Sequence, residues 1–198
     1  MAAYLENIEF LVVDDNAGMR MVIKNVLHAL QVKRIKEADN GETAFDIVRT
    51  TPPDIILSDW EMSPVDGLEF TRMIRNSEQS PNPFLPVIMV SGYAQRGRVL
   101  AARDAGVTEF VVKPISAKTL FSRVRAVIES PRPFVRTKTF FGPDRRRSKI
   151  DYDGPERRGE EAKTVAPPPP DQVISQDEIN VLFNPDTEGE DGEDAKTN

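Results

Sequence analysis

Apolar residues follow two rhythms over the first 130 positions and lose both afterwards. Short runs at residues 8–13, 55–57, 87–90 and 110–112, with a weaker one at 34–38, are rich in Val and Ile and mostly uninterrupted. Strands covered on both faces read this way. Between them lie helical patterns. Met19, Val22, Ile23, Val26, Leu27 and Leu30 recur at three- and four-residue steps, which places them on one helix face. Leu120, Val124, Val127 and Ile128 repeat the pattern in the last of these helices. Asn40-Gly41 supplies a turn before the second helix, and Pro52-Pro53 stops it before the third strand. Five strand–helix units in this length indicate an α/β fold: a parallel sheet with helices on both sides.

After Ser130 the texture changes. Nine of the 16 prolines fall there, four of them in the run at residues 167–170, and apolar residues thin out. Such a stretch buries too little surface to offset its ordering entropy. The expected organisation is a compact domain over residues 1–130, a basic, proline-rich disordered linker over 131–174, a short amphipathic helix over 175–184 and a disordered acidic tail over 185–198.

Charge sharpens that division. The net charge of −6 hides a nearly neutral first block. Residues 132–158 carry 9 Lys/Arg against 4 Asp/Glu, and residues 159–198 carry 2 against 11. Oppositely charged neighbours of this kind favour surface contacts or disorder over a second core. Cysteine is absent, which excludes disulfide scaffolds and thiolate metal sites, and the single histidine, His28, excludes a multi-histidine centre built from this chain alone. His28 falls just off the apolar face of the first helix and receives no role. No apolar run approaches the roughly 20 residues a membrane span needs, and the first residues lack the pattern of a signal peptide. A cytoplasmic protein without membrane insertion is expected.

Open parallel sheets gather functional groups at the carboxyl ends of their strands. Asp14-Asp15 follows the first strand, Asp59 the third and Lys113-Pro114 the fifth, while Ser91 ends the fourth. Three carboxylates brought together repel one another and are relieved by a hard divalent cation, which prefers oxygen ligands. Such an ion, Mg²⁺ being the natural choice, can hold a phosphoryl group in line with an attacking oxygen. A carboxylate attacking phosphorus gives an acyl phosphate. Lys113 supplies a point charge for a phosphate oxygen, and the Ser91 hydroxyl a hydrogen bond once phosphate is present. Taken singly, Asp14-Asp15 reads equally well as a helix N-cap, Lys113-Pro114 as a loop and Ser91-Gly92 as a turn. Their coincidence at the ends of four strands favours the site.

The stretches F-L-V-V-D-D-N, E-A-D-N-G-E-T-A, D-I-I-L-S-D-W-E-M-S-P-V-D-G-L-E-F, L-P-V-I-M-V-S-G and E-F-V-V-K-P carry a resemblance. Residues 8–130 resemble a CheY-like response-regulator receiver domain. The resemblance implies a flavodoxin-like sheet of order 2-1-3-4-5 flanked by five helices, and phosphorylation of Asp59 by a partner histidine kinase. It further implies Mg²⁺ held by Asp15, Asp59 and the backbone carbonyl of Glu61, with Asp14 acting through water. Ser91 and Phe110 would occupy the two switch positions, although Phe110 also reads as ordinary sheet core. The protein would be a phosphoacceptor switch and not an enzyme in the ordinary sense. Ser63 stands where the family commonly has proline, with Pro64 next. Glu61 and Tyr93 occupy positions that in this family tune dephosphorylation.

Two signals lie beyond residue 130. G-P-D-R-R at 142–146 recurs as G-P-E-R-R at 154–158. The pairs Arg145-Arg146 and Arg157-Arg158 suit bidentate recognition of phosphate or carboxylate, for example in a cyclic dinucleotide, although a solvated basic linker is the reading favoured over it. In V-I-S-Q-D-E-I-N-V-L-F-N at 173–184, Ser175 and Glu178 form a capping box and Ile174 with Ile179 its hydrophobic staple. Ile179, Leu182 and Phe183 make an apolar stripe that needs a groove. This segment resembles the receiver-binding N-terminal peptide of the flagellar motor switch protein FliM. The expected function is a response regulator of a two-component phosphorelay acting by protein–protein binding in chemotaxis or flagellar motility, with the motor switch or another receiver as output partner. A cyclic-dinucleotide effector is the alternative. A transcriptional regulator is disfavoured because the tail lacks the periodicity of a DNA-binding domain, and no DNA partner is expected.

Overall fold

The computed structural model of the protein describes residues 3–144 and 171–184. Strands β1 (Glu9–Val13), β2 (Arg34–Ala38), β3 (Ile55–Asp59), β4 (Val87–Ser91) and β5 (Glu109–Val112) form one parallel sheet of order β2-β1-β3-β4-β5. This is the expected flavodoxin-like order. Helices α1 (Ala17–Ala29) and α5 (Ala117–Glu129) cover one face, where Ile23, Leu27, Leu120 and Val124 pack on Phe10, Val12, Leu57 and Val90. Helices α2 (Gly41–Thr50), α3 (Gly67–Asn76) and α4 (Arg96–Ala105) cover the other, over Leu11, Val13, Ile56, Met89 and Phe110.

Four of these five helices begin where a side chain can replace the missing backbone partner; α4, which follows Gln95, has no side-chain cap. Asn16, Asn40, Asp66 and Ser116 accept from amides of the first turns of α1, α2, α3 and α5. The α1 cap is therefore Asn16, which leaves Asp14 and Asp15 free for the sheet rim. Gly106 ends α4 at φ 94°, a left-handed conformation that glycine adopts without strain.

Three expectations change. Val22, assigned to the core face of α1, is 47% exposed, while Ile23 and Leu27 carry that contact. Strand β3 runs on through Asp59, which pairs opposite Val90, while β4 ends at Ser91 as expected, opposite Val112. The ladder is a backbone property and continues into polar residues that an apolar-run criterion excludes. The linker does not begin at residue 131. Strands β6 (Phe134–Arg136) and β7 (Phe141–Pro143) form an antiparallel hairpin against α3 and α4.

Averaged composition concealed the reason for the hairpin. Phe134 and Phe141 lie 5.6 Å apart, and both meet Phe84 edge-on at 5.2 and 5.3 Å. In this cluster Phe141 is buried and Phe134 half-buried, while Phe84 meets them from the exposed side. Beneath them Arg75 is fully buried. Its guanidinium donates to the carbonyls of Gly106 and Pro83 and stacks on Phe134 at 5.1 Å. Burial lowers its pKa to about 9, so it remains charged near neutrality.

The segment 171–184 does form its helix, α6 (Gln176–Phe183), with the Ser175–Glu178 capping box complete. It lies along β5 and packs with α4 residues. The paired arginines 145, 146, 157 and 158 and the tail from 185 onward lie outside the described residues.

Candidate functional site

The carboxyl ends of β1, β3 and β5 deliver the acidic constellation to one rim. Asp14, Asp15 and Asp59 each offer an oxygen, and these oxygens lie within 4.8 Å of one another. Asp14 and Asp59 are buried and Asp15 is exposed. Lys113 reaches back across the rim to both buried carboxylates, 3.0 Å from Asp59 Oδ1 and 3.1 Å from Asp14 Oδ2. Asp14 is held by its neighbours as well: its second oxygen accepts from the Asn16 amide at 2.9 Å, and its backbone carbonyl accepts from Arg20 at 2.8 Å.

Charge here is deliberately unbalanced. Burial pushes the Asp59 carboxyl above its ordinary value; the hydrogen bond and charge of Lys113 pull it partly back, and Asp14 opposes them. Burial disfavours the Lys113 ammonium, yet the hydrogen bonds and charges of Asp59 and Asp14 outweigh it and hold its pKa above normal. One lysine among three carboxylates leaves a deficit of positive charge. The donor set fits a hard, oxygen-seeking cation: the oxygens are close together, and exposed Asp15 gives an open side. Asp15 also borders a cleft of about 430 Å³, lined with Trp60, Glu61, Met62, Ser63 and Asp66.

The backbone around Asp59 is tightly packed. The Asp59 carbonyl accepts from the Ser58 hydroxyl at 2.9 Å, and Gly67 at the start of α3 presses on it so closely that a Cβ there would sit 2.0 Å away. Only glycine permits this approach. Ser91 is fully buried; its hydroxyl accepts from the Tyr93 amide at 3.1 Å, and its carbonyl accepts from the Lys113 amide at 2.8 Å. Ser91 is thus tied to Lys113 through the backbone. The Glu61 side chain points instead to Arg98, 2.9 Å away, whose guanidinium lies 4.3 Å from the Tyr93 ring and 5.5 Å from Trp60. Sequence reasoning missed Arg98, which no motif marks. Phe110 is fully buried, its ring 6.2 Å from Phe183 of α6. His28, given no role, meets the Val32 carbonyl at 3.1 Å near the end of α1.

Residues 10–125 match the response regulator receiver domain family. The chain belongs to that family. Receivers are switch proteins, and among curated proteins this receiver is similar to chemotaxis protein CheY-3 of Vibrio cholerae, at 34% identity over 63% of this chain and 94% of that one. It is also similar to chemotaxis protein CheY of Pseudomonas aeruginosa, at 36% identity over 61% and 96%. Among solved structures, a histidine-kinase receiver domain from Pseudomonas aeruginosa with magnesium coordinated in its active-site cleft aligns at TM-score 0.56 and 28% identity, covering 62% of this chain and 98% of that one. A histidine-kinase receiver from Arabidopsis thaliana, complexed with Mg²⁺ and BeF₃⁻, aligns at TM-score 0.55 and 28% identity over 61% and 92%. These matches cover the receiver alone. The resemblance of residues 173–184 to a motor-switch peptide finds no counterpart among them. No helix among the described residues is long and apolar enough to cross a membrane.

Proposed function

We propose that this receiver is a cytoplasmic response regulator of a two-component phosphorelay, switched by Mg²⁺-dependent phosphorylation of Asp59. The observation that carries the reading is the Asp14–Asp15–Asp59 cluster with Lys113 bridging its two buried members. A histidine kinase is the donor class. An Asp59 oxygen attacks the phosphorus of a phosphohistidine; the new P–O bond forms as the P–N bond breaks, and the imidazole departs with its electron pair. Hydrolysis of the acyl phosphate returns the carboxylate and inorganic phosphate. Mg²⁺ bound by Asp15, Asp59 and the Glu61 carbonyl, with Asp14 through water, would supply charge neutralisation on the phosphoryl oxygens.

The remaining steps fall to the chain's own groups. Lys113 exchanges its Asp59 partner for a phosphoryl oxygen and keeps Asp14. The Ser91 hydroxyl, now an acceptor for the Tyr93 amide, turns to donate to the phosphoryl group and releases the loop that follows β4. Phe110 is the second switch position, on β5. These are the differential contacts a two-state switch requires. The output is protein binding in chemotaxis or flagellar motility, with the motor switch or another receiver as partner; the similarity to two chemotaxis proteins supports this setting.

The test is phosphoryl transfer from a phosphorylated histidine kinase to the full chain, with and without Mg²⁺. Asp59→Asn should reduce incorporation to background and Lys113→Ala should slow it severely. Labelling that persisted in Asp59→Asn would refute the assignment.

A further inference from the structure

A strand at the edge of a sheet carries unpaired donors and acceptors, and β5 is such a strand. Here residues 171–184 cover it, in a manner no sequence motif announces. The Gln176 side chain acts as a substitute strand: its Nε2 donates to the Phe110 carbonyl at 2.9 Å, and its Oε1 accepts from the Val112 amide at 2.8 Å. Ahead of the helix, Val173 bridges antiparallel to Gln95; the Ile174 amide donates to the Ala94 carbonyl, and the Arg96 amide to the Gln172 carbonyl, both at 2.9 Å. Ile179 and Phe183 are fully buried against Met89, Val99, Ala102, Val107 and Phe110. At the far end Asn184 donates to Glu109 at 2.6 Å, and Arg132 lies over the Phe183 ring at 5.8 Å.

The segment has the features of a bound peptide: an entry that makes one antiparallel bridge, a polar clamp on the open edge and two apolar anchors one helical turn apart. Yet it is joined to the receiver only through residues 145–170. We infer that residues 171–184 are a built-in competitive ligand, which holds the β5 edge closed and yields it only to a helix of the same chemistry. That chemistry is a side-chain amide in the first turn with a β-branched aliphatic and an aromatic residue beyond it. Because α6 belongs to the same chain, a rival must displace an intramolecular partner.

This inference does not depend on Asp59 being phosphorylated, so its test uses unphosphorylated protein. A fluorescent peptide of residues 171–184 is titrated with the full chain and with the full-chain double variant Ile179→Asp, Phe183→Asp, in which α6 is released but the groove is intact. The variant should bind the peptide at least about tenfold more tightly than wild type, and a peptide carrying Gln176→Ala should bind the variant more weakly. Equal binding to both chains, or none to either, overturns the proposal. Should the double variant fail to fold, full-chain Gln176→Ala keeps the apolar anchors and loses only the clamp. It must still bind the peptide more tightly than wild type, and equality there is equally fatal.

Discussion

Strand β5 is four residues long, and its two ends are built on opposite principles. Beyond its carboxyl end, Lys113 faces two buried carboxylates and a third, exposed one, a set it cannot neutralise. At its amino end, one buried carboxylate, Glu109, is met by an amide and two cations, Asn184 at 2.6 Å, Arg123 at 3.5 Å and Arg132 at 4.0 Å, although burial still holds its carboxyl above its ordinary value. One end is left short of positive charge and so is ready to take up a cation and exchange a proton donor. The other has its negative charge matched by two cations and holds α5, the base of the hairpin and α6 together. A site that must change state keeps unmet demand, whereas a structural junction removes it.

The largest test of that contrast removes an anchor from the charge-matched end. A buried Phe→Ala change costs about 3–5 kcal/mol in a closed core. Phe183→Ala should cost less, because α6 can undock and the loss then saturates at its docking free energy. Hydrogen exchange should show residues 176–183 unprotected while β1 and β3 keep their protection. Uniform loss across the sheet would mean that α6 belongs to the core of the fold.

At the unsatisfied end, Asp15→Asn removes one carboxylate from the cluster. An ion pair at such distances is worth several kcal/mol at an intermediate dielectric of about 20, so Mg²⁺ affinity should drop at least about tenfold. Trp60, the only tryptophan in the chain and a wall of the same cleft, provides the fluorescence signal. An unchanged titration would remove Asp15 from the cation site.

A smaller effect is expected where the hairpin meets α3. Arg75→Lys keeps the charge but loses the planar fork that serves two carbonyls at once. It should lower stability by about 1–3 kcal/mol, read as a shift of the urea midpoint at constant slope. An unshifted midpoint would show that the fork is dispensable.

The smallest concerns the entry to α6. Ser175→Ala should weaken its docking by about 1 kcal/mol. The Ser175 amide and hydroxyl hold the Glu178 carboxyl below its ordinary value. A depressed acid stabilises the folded form above its unfolded pKa and loses that contribution as pH falls through the folded one. Protection of the first turn of α6 should therefore fade below about pH 4.5 in wild type and show a weaker pH dependence in Ser175→Ala. Identical profiles would remove the capping box from the account.

Much of this was legible in the chain. Periodicity located all five strands and the α1 and α5 faces. Ser175 and Glu178 announced a helix start because capping is a local interaction between near neighbours, whereas Asn40 was read only as part of a turn. The acidic residues and Lys113 could be assigned to one rim because parallel strands align their carboxyl ends whatever the intervening lengths. Other features were hidden. Val22 satisfied the helical period yet is exposed, since period alone does not set how wide a face a neighbour covers. The hairpin at 134–143 was lost in an average over proline and arginine, although Phe134 and Phe141 needed only Phe84, some fifty residues earlier in sequence, to form a cluster.

What the sequence determined by itself was the set of short-range and strongly patterned features: strand and helix identity, caps, and which acids and which lysine follow which strand. Only the tertiary structure decided what the charges and edges meet. Gln176 sits between a capping serine and an aspartate with nothing to mark it, and its role appears only when the Phe110 carbonyl and Val112 amide stand within 3 Å of it. Glu109 reads as one more charge at a strand start until Asn184, Arg123 and Arg132 converge on it. The physical reason is common to both. A hydrogen bond or ion pair between residues 14 to 75 positions apart leaves no period and no spacing, because the fold alone sets its geometry.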